Sequence, residues 1–429
     1  MDAKQIITKK INGDILSDSE LEFIILSYVQ NKIDDGQMTD FLRSVKKNGM
    51  TMNETISLTR IMIDSGERID LSQHKPYKAD KHSTGGVGDK VSLVLGPIMA
   101  SLGITIPMIA GRSLGHTGGT IDKLETIPNF KTNLPVEEFR RNVERSGICI
   151  MAQTDSICPA DKKIYALRDV TDTIDSLPLI CGSIMSKKIA EGIDGLVMDI
   201  KIGNGAFMKE LVTAKDLGSI LKHVGESFNV STDIVFSNMD QPLGNTAGMW
   251  CEVLESINAL KGQSADDLMA VVFELGSRLM LQAGIVETNE QAIQAQENSI
   301  SSGRAYEKFE EMVVNQQGNI RDAIKVNQPL FVKEITSDQE GFIESFDTTM
   351  IGWANVDMGC GRRTKSDTLD NSAGIEFNVK VGDHVKKGDR VFRCFNSNMS
   401  KLEKACMILN KTFSIGEKKA ETPKLIYKN

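Results

Sequence analysis

Residues 104–123 read Ile104-Thr-Ile-Pro-Met-Ile-Ala-Gly-Arg-Ser-Leu-Gly-His-Thr-Gly-Gly-Thr-Ile-Asp-Lys123. A short apolar run, Ile104–Ile109, leads straight into a glycine-rich loop. Such a run, rich in β-branched residues and closed by glycine, reads as a buried strand. The same grammar recurs downstream. Gly195-Leu-Val-Met-Asp-Ile-Lys-Ile202 runs into Gly203-Asn-Gly-Ala-Phe207, and Ile234–Asn238 reads as a further strand. Helical patterns over 161–173, 183–192 and 212–227 are interleaved with these strands, and 255–325 reads as helices. Strands alternating with helices predict an α/β fold with both sheet faces covered. Ligands of such sheets bind beyond the carboxyl ends of the strands, where these glycine loops fall.

A second loop strengthens that expectation. Lys81-His-Ser-Thr-Gly-Gly-Val-Gly-Asp89 combines glycine, hydroxyl and cationic side chains. Glycines let backbone N–H groups approach an anion, and a following helix adds its positive N-terminal end. Neither common nucleotide motif fits. Gly88-Asp89-Lys90 lacks the P-loop order, and Gly86-Val-Gly88 lacks the third glycine of the dinucleotide fingerprint. His82 stands between Lys81 and Ser83, so an imidazole there could pass a proton beside a bound phosphate; His116 in the other loop is the competing candidate. A third cluster comprises Tyr165, Arg168, Ser183 and Lys187. Ser183 and Lys187 are spaced to share a helix face. Arg168 and Lys187 could bind carbonyl oxygens of a planar ring, with Ser183 at a ring nitrogen; two surface cations and a cap would show the same spacing.

The flanks differ from this centre. The first 65 residues read as helices. Ser17…Glu20 and Thr51…Glu54 fit capping boxes, and Gly36, Gly49 and Gly66 are expected at helix ends. From about 330, Gly341–Phe346, Ile375–His384 and Val385–Phe392 alternate as strands with turn glycines. Their rhythm is shared with lipoyl and biotinyl carriers, but no lysine stands at an evident hairpin tip. Val91–Gly111 carries only uncharged residues, yet Pro97, Pro107 and polar flanks predict a buried helix then a strand, not a membrane span. Net charge −8 and few aromatic residues argue against a nucleic-acid binder. Seven cysteines without a Cys-x-x-Cys pair, and no signal-peptide core, predict a reducing, cytoplasmic setting.

The two loops resemble the phosphate loop and the signature sequence of the thymidine and pyrimidine-nucleoside phosphorylases. Gln153–Lys162, Arg168–Thr171, Asp175–Ile180 and Asp199–Gly203 follow in that family's order and spacing, and the likeness covers nearly the whole chain. The resemblance implies a discontinuous helical domain (1–65 plus 163–193) packed across a cleft from a larger mixed α/β sheet domain (80–154 plus 197–325). A C-terminal β-rich α+β subdomain (330–429) follows. It further implies a homodimer with small-molecule substrates that carries out reversible phosphorolysis of pyrimidine nucleosides, with no redox or organic cofactor. Carried over by motif, Lys81, Ser83, Ser92 and Thr120 are phosphate ligands. Tyr165, Ser183, His82, Arg168 and Lys187 bind the base, the last three as the catalytic groups, and Leu114 and Phe207 pack on the ring.

Met108 stands where riboside-accepting relatives tend to have lysine. A thioether cannot donate to a 2′-hydroxyl, so thymidine and deoxyuridine are expected over uridine. Ala110 replaces a usual serine that touches phosphate, and Ser113 replaces a usual glycine, so the Ser113 hydroxyl is expected to stand in as phosphate ligand. Some relatives hold a monovalent cation such as K⁺; Gly88, Lys90, Leu243, Thr246 and Glu255 lie at the matching positions. A fold-related phosphoribosyltransferase and a nucleoside-binding protein without activity are the alternative readings.

Overall fold

The structure is a computed structural model that describes residues 1–113, 115–364 and 367–427. The chain divides into two compact units. The first comprises Met1–Asp80, Gln153–Leu196 and Lys215–Asp233. It opens with helices α1 (Ala3–Ile11), α2 (Asp18–Val29), α3 (Asp35–Asn48) and α4 (Met52–Asp64). Local chemistry sets their starts. Ser17, Asp34 and Thr51 each accept from the N–H three residues on, while Glu20, Gln37 and Glu54 reach back to the cap N–H. Gly49 ends α3 and Gly66 follows α4, as expected. Gly36 does not end a helix: it lies inside the first turn of α3, because Asp34 starts the helix just before it. Ile24, Phe41, Leu42, Leu58 and Met62 form a core with Ile164 and Leu179. The last two come from α8 (Pro159–Arg168) and α9 (Leu177–Ala190). A buried ion pair, Lys10 with Glu54 at 2.8 Å, joins α1 to α4, and the same carboxylate accepts from Leu16 N.

The predicted helix over 161–173 is shorter in the structure. It stops at Arg168, whose guanidinium turns back onto the carbonyls of Thr173, Ile174 and Leu179, while Asp172 adopts φ 56°.

The second unit comprises Lys81–Ala152, Val197–Ala214 and Ile234–Asn429. The boundaries fall inside β1 (Ala79–Ser83), β4 (Gly195–Ile202), α10 (Leu211–Ser227) and β5 (Ser231–Asn238). Sequence reading kept 197–325 in one piece; in the structure 215–233 groups with the helices. A Cβ added at Gly225 would lie 3.1 Å from Met185 Cε of α9, so the end of α10 packs there.

β1, β4, β5 and β13 (Ile426–Tyr427) form one sheet in the order β1-β4-β5-β13. β2 (Ile106–Ala110) and β3 (Ile148–Ala152) pair in parallel, Met108 opposite Ile150, connected through α6 (Thr120–Leu124) and α7 (Val136–Ser146). The uncharged stretch after residue 90 becomes α5 (Val91–Ser101), buried along most of its length, followed by β2. Among the described residues, no helix is long and apolar enough to cross a membrane. β6 (Thr246–Gly248) then leads into α11 (Trp250–Leu260), α12 (Asp266–Gln282), α13 (Asn289–Ser301), α14 (Arg304–Asn315) and α15 (Ile320–Val326).

The C-terminal part is β-rich, as predicted. β7 (Phe331–Thr336), β8 (Gly341–Phe346), α16 (Thr348–Asn355), β9 (Gly374–Phe377), β10 (His384–Val385), β11 (Arg390–Asn396), α17 (Met399–Leu409) and β12 (Phe413–Gly416) build it. Phe392 sits at its centre, 5.6–6.0 Å from the rings of Phe346, Phe377 and Phe413. The predicted strand over 375–384 is interrupted after Phe377. Gly382 (φ 92°) makes a turn closed by Lys380 N to Asp383, and the Lys380 ammonium is held by Pro242 O, Gly244 O and Asp267.

Candidate active site

In the second unit the first glycine loop connects β1 to α5. Gly85 (φ 92°) and Gly88 (φ 76°) take left-handed conformations that favour glycine. Gly88 is further constrained, since a Cβ there would meet Leu243 O at 2.4 Å. Thr84 ties the loop to β4: its N–H donates to Asp199 O, and its hydroxyl accepts from Lys201 N. Ser83 Oγ accepts from Gly85 N. α5 begins beside the loop with Ser92 in its first turn, and its N-terminal N–H groups give the loop a positive end.

Three lysines surround Asp89 at the end of this loop. Burial alone would push its carboxyl up, but Lys81, Lys201, the Ser83 hydroxyl and Lys123 hold it well below the usual carboxylate range. Lys81 pairs with the Asp89 carboxylate at 3.5 Å. Lys201 pairs with Asp199 at 2.7 Å and Lys123 with Glu252 at 2.5 Å, while Lys123 also donates to Asp89 O. Sequence reading missed the structural parts of Asp89, Lys201 and Glu252, because each acts through a partner remote in sequence.

The second glycine loop is organised around Asp122. This buried carboxylate accepts from Ser113 N (2.7 Å), Arg112 (3.0 Å) and Arg362 (2.7 Å). Burial opposes its charge; the two arginines and the Ser113 N–H outweigh burial and lower its pKa. A Cβ at Gly119 would come within 2.3 Å of the Arg112 and Ser113 backbone, so only glycine lets the loop double back before Thr120 starts α6. The Ser113 hydroxyl is buried and makes no hydrogen bond among the described residues. Leu114 lies outside the described residues. His116 is buried, with Nε2 2.8 Å from Gly205 O; a carbonyl only accepts, so Nε2 carries the proton. Its ring lies 5.6 Å from that of Phe207 and 6.1 Å from that of Trp353, and burial lowers its pKa. Met108 is 3% exposed in β2.

The positions expected around a cation are close together, but an ammonium is already among them. Lys90 Nζ donates to Gly88 O (2.7 Å) and Leu243 O (2.9 Å) and pairs with Glu255 Oε2 (3.1 Å). Glu255 also accepts from Thr246 Oγ1 and Asn245 N.

In the first unit, Tyr165, Arg168, Ser183 and Lys187 come from α8 and α9. The predicted helical face is present: Lys187 Nζ donates to Ser183 Oγ at 3.0 Å. It also pairs with buried Asp161 at 2.6 Å, a partner that sequence reading missed although Asp161 lies inside the quoted Gln153–Lys162 motif. Arg168 is buried rather than a surface cation. Its Nε, Nη1 and Nη2 each donate to a backbone carbonyl, leaving one N–H on each terminal nitrogen for any ligand. The Tyr165 ring lies 5.7 Å from the guanidinium, and burial pushes its phenol up to about 12.

Comparison with known proteins gives the family of the chain. Residues 4–66 match the helical bundle domain of a glycosyl transferase family and residues 75–306 its a/b domain. Residues 342–416 match the pyrimidine nucleoside phosphorylase C-terminal domain. A pyrimidine-nucleoside phosphorylase of Geobacillus stearothermophilus is 39% identical over 98% of each chain. One from Staphylococcus haemolyticus is 40% identical over 99% of this chain and 98% of its own. Anthranilate phosphoribosyltransferase from Thermus thermophilus shares the fold at TM-score 0.58 and 16% identity, over 74% of this chain and 100% of its own. The chain belongs to the thymidine phosphorylase/pyrimidine-nucleoside phosphorylase family, and it is an enzyme of the transferase type.

Proposed function

We propose that the protein catalyses reversible phosphorolysis of pyrimidine nucleosides, with thymidine and deoxyuridine preferred. The observation that carries this reading is the first glycine loop, with Lys81, Ser83, left-handed glycines and the start of α5 together, in a chain of this family. The anion side of the reaction is assigned to the second unit. Lys81, Ser83, Ser92, Thr120 and the Ser113 hydroxyl bind phosphate, one of whose oxygens forms a bond to C1′. The C1′–N1 bond breaks, its electron pair leaves with the base, and the base takes a proton. His82 donates that proton or a hydrogen bond to a base carbonyl.

The base side is assigned to the first unit. Lys187 and the remaining N–H groups of Arg168 stabilise charge developing on the departing base. Asp161 and Ser183 hold the ammonium in place, and the carbonyls of residues 173, 174 and 179 hold the guanidinium. Preorganised donors of this kind carry most of the work in such reactions. Met108, which offers no donor to a 2′-hydroxyl, is assigned the preference for deoxynucleosides.

The test is release of free base from thymidine, deoxyuridine and uridine with phosphate, with pyrophosphate or with neither. Phosphate-dependent release, fastest from the deoxynucleosides, is expected. Release that needs pyrophosphate, or binding of nucleoside without release, overturns the reading. Equal rates for uridine and thymidine overturn the assignment to Met108.

A further inference from the structure

The family resemblance implies a monovalent cation beside the first glycine loop, and the residues present do not fit one. The Lys90 side chain is fully enclosed. An ammonium has three N–H donors, and three acceptors meet this one: Gly88 O, Leu243 O and Glu255 Oε2. The walls are tight. Gly244 takes φ +71°, and a Cβ there would lie 2.6 Å from both Lys90 Nζ and Glu255 Oε1. A metal ion here would have to take the same oxygens and lie in contact with a like charge away from water, which is strongly unfavourable.

The neighbouring lysine shows that the pattern is not confined to one contact. Along Pro242-Leu243-Gly244, successive carbonyls go to two ammoniums: Pro242 O and Gly244 O to Lys380, Leu243 O to Lys90. The segment is held from both sides by side-chain charge, and Asp267 and Glu255 balance the two cations.

We infer that Lys90 is a built-in substitute for a monovalent cation, and that its ammonium, beside the Leu243 N–H to Val87 O hydrogen bond, ties the first glycine loop to residues 243–246 without a metal ion. An ammonium and a potassium ion both seek a cage of carbonyl and carboxylate oxygens, so one replaces the other with little change in the cage. The consequence is a protein indifferent to the alkali cation supplied. This rests on contacts within the second unit and stands whatever the substrate.

Thermal unfolding of the whole protein tests it, at constant ionic strength in potassium, sodium or tetramethylammonium chloride. The unaltered protein should melt at one temperature in all three. Lys90→Ser removes the ammonium and leaves a hydroxyl oxygen. It should melt lower in tetramethylammonium and recover with added potassium along a saturating curve, as a ligand specific to the folded state requires. Lys90→Met, which keeps bulk without charge or oxygen, should melt lower and stay there. A saturating, potassium-specific rise in the unaltered protein overturns the inference and needs no variant. So does a folded, destabilised Lys90→Ser that potassium fails to restore.

Discussion

The two glycine loops are held by opposite charges. Behind the first, buried cations donate to loop carbonyls: Lys90 to Gly88 O, Lys123 to Asp89 O. Behind the second, a buried anion collects donors, with Asp122 accepting from Ser113 N and two arginines. Two loops of similar composition therefore reach fixed shapes by inverse means. Glycine content says only that backbone will come close to something. The charge behind the loop decides which backbone groups are spent on the protein and which remain for a ligand.

The sharpest way to break this comparison is to remove one cation from the first loop. Lys123→Met strands the buried Glu252 carboxylate, and breaking such a pair costs about 3–5 kcal/mol. Urea denaturation should show that loss, and the double variant with Glu252→Gln should recover much of it. A loss below about 1 kcal/mol would mean that the pair does not hold the loop.

The matching change in the second loop should cost less. Asp122→Ala takes a carboxylate from two arginines, but Arg112 keeps Glu125, and both arginines are partly exposed so that water can solvate them. A loss of about 1–3 kcal/mol is expected from the same denaturation experiment. If the loss exceeds that for Lys123→Met, the ranking of the two loops is wrong.

Ligand binding gives a finer test. A hydrogen bond to a charged group is worth about 1.5–3 kcal/mol. Ser113→Gly should therefore raise the phosphate KM about tenfold or more, and Ala110→Ser should lower it. An unchanged KM for Ser113→Gly would remove that hydroxyl from the site.

The smallest effect is in pH. His116 in the second loop is kept neutral by burial, so its folded pKa lies below the unfolded value of about 6.5. Its contribution is complete above that value and is lost as pH falls from there through the lower folded pKa. Asp89, also depressed, contributes above the ordinary aspartate range of about 4, so the first loop weakens only in stronger acid. Amide exchange at pH 5, after correction for intrinsic rates, should show lost protection around His116 while residues 84–91 keep theirs. Equal change in both would contradict the difference.

What could be read from sequence follows the same division between local and remote. The capping boxes at Ser17 and Thr51, the strand Gly195–Ile202 and the Ser183–Lys187 face depend on neighbours within a few residues, and each is present. The end of α8 at Arg168 was missed because helical periodicity continues to 173, while a buried guanidinium draws the following carbonyls inward. The strand over 375–384 was overextended for a related reason: Lys380 is drawn out of alternation by carbonyls at 242 and 244. Lys90 was read as one of several positions around a cation. Only the fold shows that its own charge occupies the middle of that set.

β13 was not anticipated at all, since two residues carry no periodicity, yet it has a consequence for how the molecule behaves in company. Ile426 and Tyr427 pair antiparallel with Ser237 and Phe236, and the Tyr427 hydroxyl accepts from Asn238. The strip covers the carboxyl end of the outer edge of a sheet whose next strand is almost wholly buried. Without it, residues 236–238 of β5 would offer unpaired N–H and C=O groups to any other extended chain. This short strand acts as a selvedge: it finishes the woven edge and keeps one molecule from being stitched to the next.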